Sequence, residues 1–147
     1  MLLLLIALLV ASPGGQLAQP LRVSACEIVS DHGQFFDKLV VFDAYVPQGP
    51  HSVFLVAENC PGVPANDLYI GLSYDRKSPA LRKFDKLLFT RVKVKNCNDC
   101  YKYEVEGTLT GYVRKAPPEG FGFVSAKVGF ELIQTSNIRT KKRVIER

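Results

Sequence analysis

The chain holds two histidines, His32 and His51, in 147 residues. That scarcity limits the chemistry at once. A Ser/His/Asp set would have to use one of them, and no G-x-S-x-G elbow is present to expose a nucleophilic serine. A zinc site needs a second C-x-x-C or nearby histidines. Only Cys97-Asn98-Asp99-Cys100 has that spacing, and the lone Cys60 does not complete it. The chain also lacks a long apolar run: residues 1–11 are continuous in apolar character but fall short of the roughly 20 needed to span a bilayer. Nor is it depleted in hydrophobic residues, at 47% with 22% charged, so wholesale disorder is excluded. Its length is that of a single domain, about 100–150 residues.

What residues 1–11 do offer is the apolar core of a secretory signal peptide. Ser12-Pro13-Gly14-Gly15 breaks the run and supplies small residues. No Lys or Arg precedes it. We expect residues 1–18 to be removed, with the cut between 14 and 18, where Gly14, Gly15 and Ala18 are small. The rest would be periplasmic or secreted. Val23-Ser24-Ala25-Cys26 has the form of a lipoprotein box, but Pro20 and Arg22 separate it from the apolar core, so Cys26 is expected to be buried or disulfide-bonded rather than lipidated. Four cysteines, Cys26, Cys60, Cys97 and Cys100, suit disulfides in an oxidising compartment. Three pairings are open; one closes Cys97 on Cys100 and leaves Cys26 with Cys60. A thioredoxin-like site would place the C-x-x-C at a helix start, whereas here it precedes an alternating strand. No metal and no cofactor is expected.

Charge is unevenly spread. Between residues 23 and 75 seven acids face one base, Lys38. Between 76 and 95 eight bases face Asp85 alone, and five of the last nine residues are basic. A basic stripe can follow a phosphate backbone or be the solvated face of a helix. Residues 137–147 read as a basic C-terminal tail beyond a domain spanning 22–136.

Ser24 and Glu27 have capping-box spacing and predict a short helix over 25–36, loosened near Gly33. Residues 38–47, 51–60 and 68–74 read as three strands joined by short turns. Ser78 suits an N-cap and Pro79 the first helical position. Leu81, Phe84, Leu87 and Leu88 then form one apolar stripe, with Arg82, Lys83 and Lys86 opposite. Residues 103–113 alternate, with Val105, Gly107, Leu109, Gly111 and Val113 on one face and Glu104, Glu106, Thr108, Thr110 and Tyr112 on the other. A last strand covers 126–134. The expectation is a mainly β, small five-stranded OB-fold-like barrel, with one helix between strands three and four and a short N-terminal helix.

On that pattern the chain resembles the small exported bacterial proteins of OB-fold type, a family without a settled activity. The resemblance rests on Ala25-Cys26-Glu27, Phe36-Asp37-Lys38-Leu39-Val40-Val41, Cys60-Pro61-Gly62, Val105-Glu106-Gly107 and Gly120-Phe121-Gly122, from about residue 24 to 134. Three positions depart from it. The Gly usual before Lys38 is absent, so Asp37 abuts it; Asp43-Ala44 stands where a later Gly is usual; and Phe123 stands where His is frequent.

The function expected is an exported, non-catalytic envelope or secreted binding or accessory module, its partner an envelope component or an anionic polymer. OB-folds bind oligonucleotides or oligosaccharides on strands two and three, which makes Tyr69 and Tyr74, with Arg91 and Lys93 nearby, the candidate binding residues. Phe54 is expected in the core. The alternative is binding of extracellular nucleic acid or another anionic polymer. A hydrolase is the third reading, and Glu104 and Glu106, two acids on one strand face, are expected to be solvated rather than catalytic.

Overall fold

The computed structural model describes residues 18–47, 54–89, 101–119 and 126–144, the last three and first three of the strand ends at 142–144 and 101–103 by backbone alone. The capping box forms as its spacing demands. The Ser24 hydroxyl accepts from the Glu27 amide at 3.1 Å, and the Ser24 amide donates to the Glu27 carboxylate at 2.7 Å. That box starts helix α1, Ala25–Ser30. The expected helix does not reach residue 36: Asp31 takes a non-helical φ of −144°, and His32–Phe35 forms a separate 3-10 turn.

The strands are β1 (Leu21–Arg22), β2 (Leu39–Pro47), β3 (Phe54–Val56), β4 (Tyr69–Ser73), β5 (Tyr101–Lys115) and β6 (Val128–Val144). They make one mixed sheet in the order β1-β2-β5-β6-β4-β3. This corrects the expected five-stranded barrel in two respects. A sixth strand, β1, adds in parallel to β2 at Val40 and Val41. The sheet is also open among the described residues, because β3 pairs only with β4 and only over three residues. A further difference lies at the C-terminus. Residues 137–144, expected in a basic tail, continue β6, and 139–144 of them pair with residues 101–106 of β5.

Between β4 and β5 the chain makes a 3-10 turn, Pro79–Leu81, and then helix α2, Arg82–Leu88. Ser78 offers no side-chain cap. Its amide closes a turn onto the Asp75 carbonyl instead, and Leu81 stands at the helix N-cap. The apolar stripe nevertheless behaves as its spacing requires: Leu81, Phe84 and Leu88 are buried, while Arg82, Lys83 and Lys86 are exposed.

One apolar cluster holds these pieces together. Val40, Phe42 and Val46 of β2, Val105, Leu109 and Val113 of β5, and Phe130 and Leu132 of β6 meet Ile28 of α1 and Phe84 and Leu88 of α2. Phe42 and Phe130 pack edge to face at 4.9 Å. Each such fully buried side chain contributes roughly 1.5–3 kcal/mol. Cys26 at the start of α1 is bonded to Cys60 after β3, which ties the helix to the edge of the sheet. That bond leaves Cys26 no thiol for a lipid. Cys97 and Cys100 lie outside the described residues.

Candidate functional site

Because side chains alternate along a strand, burying Val40, Phe42, Val105 and Leu109 turns Asp43, Tyr45, Glu106 and Thr108 to the other face. The register sets Asp43 opposite Thr108 and Tyr45 opposite Glu106. On the next strand Arg139 lies opposite Glu106. The pairing of β5 with β6 slips at this level: Thr108 faces Ser136 and Glu106 faces Arg139, so Asn137 and Ile138 together oppose Gly107. Asn137 absorbs the bulge with a φ of +53°.

A groove of about 660 Å³ crosses the outer face here, lined from four strands by Arg22, Asp43, Tyr45, Glu106, Thr108 and Arg139, with Ala44, Gly107 and Asn137 completing it. Its charges are arranged in pairs. Arg22 is bonded to Asp43, whose other oxygen accepts from the Thr108 hydroxyl at 2.6 Å. Arg139 is bonded to Glu106, and Lys141 approaches the same carboxylate at 3.4 Å. The hydrogen bond from Arg139 is the main cause holding the Glu106 carboxyl below its ordinary range. Glu104, expected in solvent beside Glu106, is instead buried, at 5% exposure.

A second, smaller cleft of about 290 Å³ lies beside the disulfide. Ser30 and His32 form one wall and Pro61 to Pro64 the other, with Asp67 and Lys127 paired at 2.8 Å. His32 packs its ring against Phe36 at 5.5 Å. Among the described residues, no group of three or more His, Cys, Asp or Glu side chains is placed to hold a metal ion, and no helix is long and apolar enough to cross a membrane.

The aromatic residues singled out from the sequence sit elsewhere. Tyr69 is half-buried on β4, its ring edge-on to Phe54 at 5.6 Å. Phe54 is therefore not in the core, since the register sends Leu55 and Ile70 inward instead. Tyr74 packs on Phe84 at 5.5 Å and donates its hydroxyl to Asp85 at 2.9 Å. Burial, reinforced by that bond, pushes the Tyr74 hydroxyl above the ordinary tyrosine range. Neither tyrosine lines the groove. Arg91, Lys93 and His51 lie outside the described residues. Sequence reasoning missed Asp43, Arg22 and Arg139 as site residues. The signal for Asp43 was available, as an acid in an otherwise apolar strand; that for Arg22 and Arg139 depends on strand pairing that spacing does not encode.

Fold and site together define a small mixed-sheet β-protein, with one disulfide among its described residues and a charge-lined groove on its open face. No family model, curated protein or solved structure matches the chain.

Proposed function

We propose that the chain is an exported, non-catalytic binding module of the OB type, periplasmic or secreted, with the outer-face groove as its ligand site. The observation that carries this is the groove itself: donors and acceptors from four strands converge on one open surface of a size usual for ligand sites, about 300–1,000 Å³. Its carboxylates suit binding more than proton transfer. Asp43 and Glu106 are each engaged by a guanidinium, and the bond from Arg139 holds the Glu106 carboxyl down, where a general acid would need it pushed up.

The OB-type reading draws on strand sense. With β1 set aside as an edge addition, β5 runs antiparallel to β2 and to β6, β6 runs parallel to β4, and α2 lies in the crossover between β4 and β5. Closure would need only β2 against β3, joined through residues 48–53. The resemblance to small exported proteins of this type points the same way. Export draws on residues 1–18 and on the Cys26–Cys60 bond, which suits an oxidising compartment.

The test is saturable binding of the mature protein to isolated cell envelopes, compared with a Glu106→Ala/Arg139→Ala double variant. Arg139 is exposed and Glu106 half-buried, so removing both leaves neither charge without its partner and costs about 1 kcal/mol. Loss of envelope binding in a folded double variant supports the reading, and undiminished binding overturns the assignment of the groove.

A second reading, an anionic polymer such as extracellular nucleic acid, is favoured by the basic residues Arg139 and Lys141 on β6 and by Arg91 and Lys93 in the basic middle of the chain. Its mark is an affinity that falls steeply with salt.

A further inference from the structure

We infer that the groove takes a neutral, hydroxyl-rich chain, an oligosaccharide segment, rather than a polyanion; this rests on the groove being the ligand site. The first argument is charge. Of the four ionised groups lining the groove, two are guanidinium and two are carboxylate, and each cation is joined to an anion: Arg22 to Asp43, Arg139 to Glu106; Lys141, outside the lining, is also engaged by Glu106. A phosphate chain binds by neutralising itself against free cations and releasing counterions. Here it would meet Asp43 and Glu106 on entry, and like charges set together oppose association.

The second argument is hydrogen-bond chemistry. A guanidinium only donates and a carboxylate only accepts, whereas each hydroxyl of a vicinal diol does both. An arginine beside a carboxylate thus offers one diol a donor for one oxygen and an acceptor for the other. The groove holds two such pairs, one from β1 and β2 and one from β5 and β6. Thr108 and Asn137 add a hydroxyl and an amide beside them.

The third argument is readiness. Asp43 is held by Arg22 and Thr108, and Glu106 by Arg139 and Lys141, so the acceptors are oriented before any ligand arrives. Orientation in advance cuts the ordering cost of binding.

The probes are cellotetraose and chitotetraose as neutral chains and a dodecamer of thymidylate as the polyanion, titrated calorimetrically into the mature protein at low and high salt. The expected result is binding of a neutral tetrasaccharide with an affinity that changes less than about twofold with salt, since little counterion is released. Asp43→Asn and Glu106→Gln should each weaken it about tenfold, the equivalent of one charge-assisted hydrogen bond. Lys83→Ala on α2, outside the groove, should leave it unchanged. Thymidylate binding that falls steeply with salt and is lost in Arg139→Gln would overturn the inference while leaving the groove as the ligand site. Failure of all three probes, with envelope binding still lost in the groove double variant, would also overturn the ligand class alone. Envelope binding that survives the double variant would instead overturn the reading on which the inference rests.

Discussion

Asp37 adopts a left-handed backbone, φ +61°, and its carboxylate takes the guanidinium of Arg114 at 2.7 Å across the mouth of β2 and β5. The two facts explain one another. Glycine is the residue that accepts such a φ freely. Here an aspartate, among the few other residues that tolerate it, occupies the position. Its amide donates to the Val113 carbonyl at 2.8 Å, and Arg114 also reaches Glu131 at 2.7 Å. Asp37→Gly should therefore be close to neutral, because relief of backbone strain offsets an exposed ion pair of about 0–1 kcal/mol. Asp37→Val should cost about 1–3 kcal/mol, since a β-branched residue resists this conformation. Urea melts of the two variants decide it. Equal losses would mean that the ion pair, not the backbone, sets the choice of residue.

The Cys26–Cys60 bond spans a sequence separation of 34 and joins α1 to the edge beyond β3. In the chain-entropy picture a loop of that size is worth roughly 3–4 kcal/mol. Cys26→Ser/Cys60→Ser should lower the free energy of unfolding by about that amount, read from urea melts without reductant. The double variant avoids leaving a lone thiol. A loss under about 1 kcal/mol would mean that the helix is held by Ile28 and Val29 alone.

Much of the fold was legible because it follows from local rules. The Ser24–Glu27 box, the Leu81–Phe84–Leu88 stripe and the inward set Val105, Leu109 and Val113 each depend on spacing within one element. What escaped depends on partners distant in sequence. Nothing in Leu21–Arg22 marks a strand until β2 offers it an edge. Residues 137–144 read as a polar tail because the partners of 139–144, residues 101–106, lie some forty positions upstream. The site escaped for the same reason. Tyr74 has the composition of a binding residue, yet Asp85 and Phe84, brought up by α2, absorb its hydroxyl and its ring. Arg22, Asp43, Glu106 and Arg139 became one surface only through register.

Acid should weaken the fold through two carboxylates. The side-chain bond from Arg76 is the main cause lowering Asp85, and that from Arg139 the main cause lowering Glu106. A carboxyl whose folded value is depressed contributes stability above its unfolded value, and that contribution is lost as pH falls through the folded value. The unfolded values are near 3.8 for Asp85 and 4.5 for Glu106, so the loss begins at about these points and grows below them. The urea midpoint should be level from pH 7 to pH 5 and fall as pH drops toward 3. In Asp85→Asn/Glu106→Gln the fall should be shallower. A double variant with the same acid slope as the parent would assign the loss to other carboxylates.

The glycines of β5 give the sharpest contrast, because a Cβ at either would press on β6 but with unequal room to give. A Cβ on Gly111 would lie 2.1 Å from the Glu131 carbonyl oxygen, and backbone cannot swing aside. A Cβ on Gly107 would lie 2.7 Å from the Ile138 Cγ2 and 2.9 Å from the Ser136 carbonyl oxygen, where the bulge on β6 has some freedom to give. Thr108, one residue along, points to the groove, and its hydroxyl donates to Asp43 at 2.6 Å. Thr108→Val should cost about 0.5–1.5 kcal/mol for that bond, with Asp43 still held by Arg22. Gly107→Val should cost about 1–3 kcal/mol by overpacking. Gly111→Ala, although the smaller substitution, should cost the most, because it forces β5 and β6 apart where Gly111 pairs with Leu132. β-propensity alone would rank all three as harmless or helpful. Urea melts of the three variants therefore separate close packing from propensity, and Gly111→Ala as stable as the parent would show that β5 and β6 are not in the register described.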